Sequence, residues 1–181
     1  IHQNGLIDTV TRTTDVDGDQ KGDLILHDAT LAKFYIRYSK TNKIGSHTLG
    51  SVGDVPVLGD FNGDGKADLA TFNRTTAKWN VRITGGSVRQ FTLGGRGDFP
   101  VASDYAGEGC TQPATYNPRR GKFTIAECDG TNPHTVSFGG TNGGRIAVPM
   151  DYDCDGKSDL AVYTPFESKW TIKFSGDSVT R

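Results

Sequence analysis

Apolar and polar residues alternate with period two along this chain, most clearly in four short segments. Phe34, Ile36 and Tyr38 alternate with Tyr35 and Arg37, and Trp79, Val81 and Ile83 alternate with Asn80 and Arg82. Phe123 and Ile125 keep the same rhythm, as do Trp170, Ile172 and Phe174 against Thr171 and Lys173. Successive side chains of an extended chain point to opposite faces, so each segment predicts a strand with one apolar face. A second kind of segment is apolar on both sides, as in Asp68-Leu-Ala-Thr-Phe72 and Asp159-Leu-Ala-Val-Tyr163. That pattern predicts a strand buried between stacked sheets. No stretch carries the sustained i, i+3, i+4 apolar spacing of an amphipathic helix. In the second quarter of the chain the reading is four strands, at 55–61, 67–73, 78–84 and 87–93.

These strands belong to a cassette that occurs four times. Each begins with a nine-residue loop: Asp15-Val-Asp17-Gly-Asp19-Gln-Lys21-Gly-Asp23, Asp60-Phe-Asn62-Gly-Asp64-Gly-Lys66-Ala-Asp68, Asp104-Tyr-Ala-Gly-Glu108-Gly-Cys110-Thr-Gln112 and Asp151-Tyr-Asp153-Cys-Asp155-Gly-Lys157-Ser-Asp159. Phe34, Trp79, Phe123 and Trp170 each stand at one fixed offset from the first Asp. A repeat of roughly 45 residues built from four short strands is a propeller blade. The expected fold is all-β, a β-propeller of four blades, either a closed four-bladed ring or part of a larger propeller. The blades would run over 6–50, 51–94, 95–140 and 141–181, the last completed by 1–5.

Three of the loops have the donor set of a hard cation. Asp15, Asp17, Asp19 and Asp23 place side-chain oxygens at loop positions 1, 3, 5 and 9, as do Asp60, Asn62, Asp64 and Asp68, and Asp151, Asp153, Asp155 and Asp159. Calcium takes six to eight oxygens in irregular geometry, which such a loop can supply. Lys21, Lys66 and Lys157, at position 7, would contribute their backbone carbonyls. Gly65 and Gly156 permit the sharp turn at position 6. The start resembles an EF-hand, but position 12 is Leu26, Thr71 or Val162 in place of a bidentate Glu, so the site is strand-loop-strand. Zinc is disfavoured because no His or Cys accompanies the acids. Magnesium is disfavoured by its preference for few protein ligands and rigid octahedral geometry. About three calcium sites are expected.

The third loop lacks this set, since Ala106 and Gln112 replace the acids at positions 3 and 9 and Glu108 is long for position 5. It is expected to hold no metal, or to hold it very weakly. The same cassette gains Cys110 and Cys128, which lie symmetrically about the turn at Pro118-Arg119-Arg120. A hairpin would bring them together, predicting a disulfide that staples a loop without calcium. Cys154, where the other loops have Gly, is left unpaired.

Composition narrows the function classes. A net charge of −1 with no basic block argues against nucleic acid as the main partner. No apolar run approaches the length of a membrane span. The 34% hydrophobic content is low for a globular domain, so ions and a disulfide would supplement burial. The chain starts at Ile1 without Met, which reads as a mature or processed chain. A cysteine pair and calcium loops together predict a secreted, extracellular protein.

Gly53-Asp54-Val55-Pro56-Val57-Leu-Gly-Asp60 and the loop that follows resemble the FG-GAP or VCBS repeat, as does Pro149-Met-Asp151 with its loop. The resemblance covers nearly the whole chain and is specific in two and a half repeats. It implies a calcium-binding β-propeller of the integrin α-head or propeller-lectin type. The expected function is a non-catalytic binding module, carbohydrate-binding or adhesive, whose partner is a glycan or a cell-surface protein. The alternative is an accessory or processed domain of a secreted polysaccharide lyase or hydrolase. No catalytic constellation is present: His2, His27, His47 and His134 are scattered, and no nucleophile or phosphate-binding motif occurs. Tyr35, Tyr105, Tyr116, Tyr152 and Tyr163 are possible stacking rings, most of them expected in packing roles. Arg96-Gly97-Asp98 reads as a repeat turn, and Asn73-Arg-Thr75, though a glycosylation sequon, as another turn.

Overall fold

The computed structural model describes residues 14–141 and 144–176. The described residues form four antiparallel sheets and a single 3-10 turn, Pro165–Glu167. The first sheet holds β1 (Leu24–Asp28), β2 (Lys33–Arg37) and β3 (Ile44–Thr48), and the second β4 (Val55–Gly59), β5 (Asp68–Asn73), β6 (Lys78–Arg82) and β7 (Val88–Thr92). The third holds β8 (Phe99–Pro100), β9 (Ala114–Asn117), β10 (Lys122–Ile125) and β11 (His134–Ser137). The fourth holds β12 (Ile146–Ala147), β13 (Leu160–Thr164) and β14 (Lys169–Lys173). Every sheet is a meander of sequential neighbours. The lead strand of the first cassette and the completion of the fourth sheet by residues 1–5 lie outside the described residues.

The chain forms two compact units, residues 1–92 and 93–181, each with two sheets. In the first unit, Val16, Phe34, Ile36 and Leu49 of the first cassette pack with Ala67 and Leu69 of the second. In the second unit, Ala114, Tyr116, Phe123 and Ile125 pack with Leu160 and Val162. The alternating residues of the sequence thus supply the core, each buried aromatic contributing about 2 kcal/mol. Between the second and third strands, a side chain ties the turn. Asn73 Oδ1 accepts the Thr75 and Thr76 N–H groups at 3.0 and 2.9 Å, and Asp28 Oδ1 accepts those of Thr30 and Leu31. Such Asx turns explain why Asn or Asp stands there.

One expectation needs correction, and one pattern has a limit. Trp170 does not join a core: it is 49% exposed, whereas its counterpart Trp79 is 0% exposed. Trp79 is covered by Phe72 on one side and Phe91 of β7 on the other, at 5.1 and 6.2 Å between ring centroids. Trp170 has Tyr163 at 5.1 Å, and among the described residues no strand follows β14 to cover it. Two-sided burial holds for β5 and β13 but does not extend to β1, where Leu24 and Leu26 are 69% and 64% exposed.

Candidate metal centres and inter-sheet clefts

The nine-residue loops share one hydrogen-bonded frame, anchored by the first Asp. Asp15 accepts the N–H groups of Gly18 at 2.7 Å, Asp19 at 3.2 Å and Gln20 at 2.8 Å. Asp60 does the same for Gly63, Asp64 and Gly65, and Asp104 for Gly107, Glu108 and Gly109. Asp151 accepts from Asp155 and Gly156. The frame requires left-handed backbone at positions 4 and 6. Glycine supplies it at most of them, but Gln20 (φ 68°) and Cys154 (φ 64°) adopt it against their side chains.

The ninth residue ties the loop to the sheet. One oxygen of Asp23, Asp68 or Asp159 accepts the N–H of position 2 (Val16, Phe61 or Tyr152), each at 2.9 Å. The other accepts the N–H of Ser39, Thr84 or Ser175, just beyond the third strand, at 2.7–2.8 Å. At that same position Ser39 and Ser175 also donate their hydroxyls to Asp19 and Asp155.

Three carboxylates converge in the first loop, Asp15, Asp17 and Asp19, with oxygens within 4.8 Å of one another. Asp151, Asp153 and Asp159 converge likewise in the fourth. In the second loop the Asn62 amide donates to Asp64 at 3.0 Å. Electrostatics match this crowding. Burial, then the charges of Asp23 and Asp19, raise the Asp17 carboxyl above its usual range; desolvation, then neighbouring acids, raise Asp153. Burial pushes Asp68 up to about 6. Asp155 is lowered, chiefly by the Ser175 hydroxyl bond. Crowded oxygens of raised basicity fit a divalent cation, which would relieve both desolvation and repulsion. Lys21, Lys66 and Lys157 donate their N–H groups to the position-5 acids at 2.8–2.9 Å. The side chains of Lys66 and Lys157 lie on Gly18 and Gly107 of the preceding loop in the same unit, so they are packing groups.

In the third cassette Cys110 and Cys128 form a disulfide with Cα atoms 6.2 Å apart. Cys128 stands where Ser39 and Ser175 stand, so the covalent bond replaces the hydroxyl-to-acid link between loop and strand end. Glu108 lies close to both sulfurs, but a disulfide offers no thiolate to a metal. Cys154 is free and exposed.

Each unit also has a cleft between its two sheets. That of the first unit, about 570 Å³, is lined by polar residues including Asp54, Asn73, Lys78, Asn80 and Gln90. The Gln90 amide donates to Asn80 at 2.8 Å, and the Asn73 amide donates to Asp54 at 2.6 Å. The Asn73 nitrogen is thereby engaged in the fold, which suits a turn residue and not a glycosylated one. Asp98 is 4% exposed and accepts the Asn117 amide at 2.5 Å, so the acid of Arg96-Gly97-Asp98 is likewise structural. Among the tyrosines, Tyr116 is buried, while Tyr105 and Tyr152 donate their hydroxyls to Val101 and Val148 carbonyls. Sequence reasoning missed Phe166, Arg145 and the exposure of Trp170; only a break in the repeat could have drawn attention to the first two, whereas Trp170 keeps the repeat spacing.

No helix among the described residues is long and apolar enough to cross a membrane. No curated protein matches the chain significantly. Residues 52–76 match the model of the FG-GAP repeat, covering the lead-in Gly53-Asp54, the whole second loop and β5. The second cassette is therefore an FG-GAP repeat, the part of the chain that this family's model matches.

Proposed function

We propose that this chain is a secreted, calcium-stabilised binding module of propeller type that engages a glycan without turning it over. Calcium would be held by Asp15, Asp17, Asp19 and Asp23, by Asp60, Asn62, Asp64 and Asp68, and by Asp151, Asp153, Asp155 and Asp159, with the Lys21, Lys66 and Lys157 carbonyls. The observation that carries the metal reading is the convergence of acids in the first and fourth loops. When bound, the ion supplies charge neutralisation and a cross-link between strands. The chain's own residues do the positioning: position 1 frames the loop and position 9 anchors it to the sheet.

The binding reading rests on the clefts. Amides and hydroxyls such as those of Asn80, Gln90 and Thr76 match the paired donors and acceptors of sugar hydroxyls. An extracellular setting suits both an FG-GAP repeat and a disulfide. A glycan array on the purified chain in calcium, followed by calorimetry on its hits, tests the reading. Binding reduced by Asn80→Ala and Gln90→Ala is expected. No bound glycan, or cleavage of a polysaccharide by the purified chain, would contradict it.

A further inference from the structure

The cleft of the second unit differs from its counterpart by one change of sign. Six residues before the second, third and fourth loops stand Asp54, Asp98 and Arg145, and thirteen after the first Asp of those loops stand their partners Asn73, Asn117 and Thr164. The first two pairs are an amide donating to a carboxylate, at 2.6 and 2.5 Å. In the third, the Arg145 Nε donates to the Thr164 hydroxyl at 3.2 Å, and the carboxylate is gone. This cleft, about 630 Å³, is lined by Arg120, Arg145 and Lys169 against one acid, Glu167. Its counterpart has one acid and one cation, Asp54 and Lys78.

Its floor is also short of acceptors. Among the described residues Arg145 Nη1 is buried with no hydrogen-bond partner, and so is the hydroxyl of Tyr116, a residue 1% exposed. Both groups adjoin the glycines lining the cleft: a methyl group added at Gly140 would lie 2.9 Å from Nη1, and one added at Gly139 would lie 2.9 Å from the Tyr116 hydroxyl. An enclosed cationic donor without an acceptor is costly, and an anion beside it offsets that cost. Phe166, next in sequence to the lining residue Glu167, is 95% exposed. A methyl group at Gly144, the neighbour of Arg145, would lie 3.5 Å from the Phe166 ring.

We propose that this cleft binds the carboxylate of an acidic sugar, with Arg145 as the anchor and Phe166 as the platform for the pyranose ring. The inference rests on the glycan reading above and names the ligand class for one of its clefts. A planar guanidinium meets a planar carboxylate through two parallel bonds. An exposed aromatic face beside it covers the apolar C–H face of the sugar.

The test is calorimetric titration of the intact chain, in calcium and at fixed ionic strength, with a trigalacturonate, a neutral galactose trimer and triglutamate. Three variants accompany it: Arg145→Gln, Phe166→Ala, and the double variant Arg145→Asp with Thr164→Asn. The double variant restores the pair found in the second and third sheets, so it is expected to fold and to melt no lower than the parent. Trigalacturonate is expected to bind the parent and to bind Arg145→Gln and the double variant at least about tenfold more weakly. A smaller loss is expected for Phe166→Ala. Unchanged trigalacturonate affinity in the folded double variant overturns the proposal. So does triglutamate binding equally well. Binding of the neutral trimer alone overturns the acidic-sugar assignment and leaves the glycan reading standing, whereas a glycan array without hits removes both.

Discussion

The third loop and the other three have the same frame and different chemistry. In all four, the first Asp gathers N–H groups from positions 5 and 6. Asp104 does this as well as Asp15 and Asp60, although Ala106 and Gln112 have replaced the acids at positions 3 and 9. Position 1 therefore suffices for the turn without acids at positions 3 and 9, although a position-9 Asp also anchors the loop to the sheet. The cost of these acids is visible in the raised carboxyls of Asp17 and Asp153 and in Asp68, pushed up to about 6. On the proposed calcium reading, a chain that keeps crowded acids in its first, second and fourth loops and a disulfide in its third uses two kinds of cross-link for one purpose.

If that comparison is right, chelation should have the largest effect. Binding to the folded state alone stabilises by about 2.7 kcal/mol per site when free calcium is a hundred times Kd. Calorimetric melting in chelator against calcium should show a drop of many degrees, whereas indifference to calcium would break the comparison. Removing the other cross-link comes next. Cys110→Ser with Cys128→Ser is expected to cost about 3 kcal/mol by denaturant titration, with the calcium stoichiometry unchanged.

A smaller effect sharpens the role of Asp68. Its carboxyl is raised from 3.8 to about 6 in the folded, metal-free chain, so the folded state binds the extra proton between those values. Its contribution to stability in chelator is then most favourable at low pH and is lost as pH rises through about 6. Melting in chelator from pH 4 to 7 should show this fall, and Asp68→Asn should flatten it. In calcium the trend should reverse, because protons compete with the ion. The smallest effect concerns the two side chains held in left-handed backbone. Gln20→Gly and Cys154→Gly should each stabilise the chain by roughly 0.5–1 kcal/mol.

Much of this was legible in the sequence because strand alternation and loop acids repeat at fixed offsets. Four strands of the second cassette fall within a few residues of expectation, and Cys110 and Cys128 pair as their symmetry about the turn suggests. What escaped was whatever depends on a neighbour. Trp170 obeys the same spacing as Trp79, and spacing alone could not reveal that among the described residues no strand like β7 covers it. Arg145 was passed over because its meaning lies in a contrast with Asp54 and Asp98 across the chain, and in an Nη1 group that finds no partner among the described residues. The second loop shows the converse. Its ligand pattern is complete in sequence, yet its Asn62 amide donates to Asp64, so an ion there requires that amide to present its oxygen instead.

The central claim is that the acids of the first, second and fourth loops hold ions in addition to their structural hydrogen bonds, and metal counting tests it most directly. Native mass spectrometry of the chain, stripped and then equilibrated with calcium, should find three ions. The count should fall to two in Asp23→Asn with Asp17→Asn, and remain three in Asp104→Asn, which alters the third loop alone. A count below two in the parent chain, or an ion lost on changing the third loop, would contradict the account.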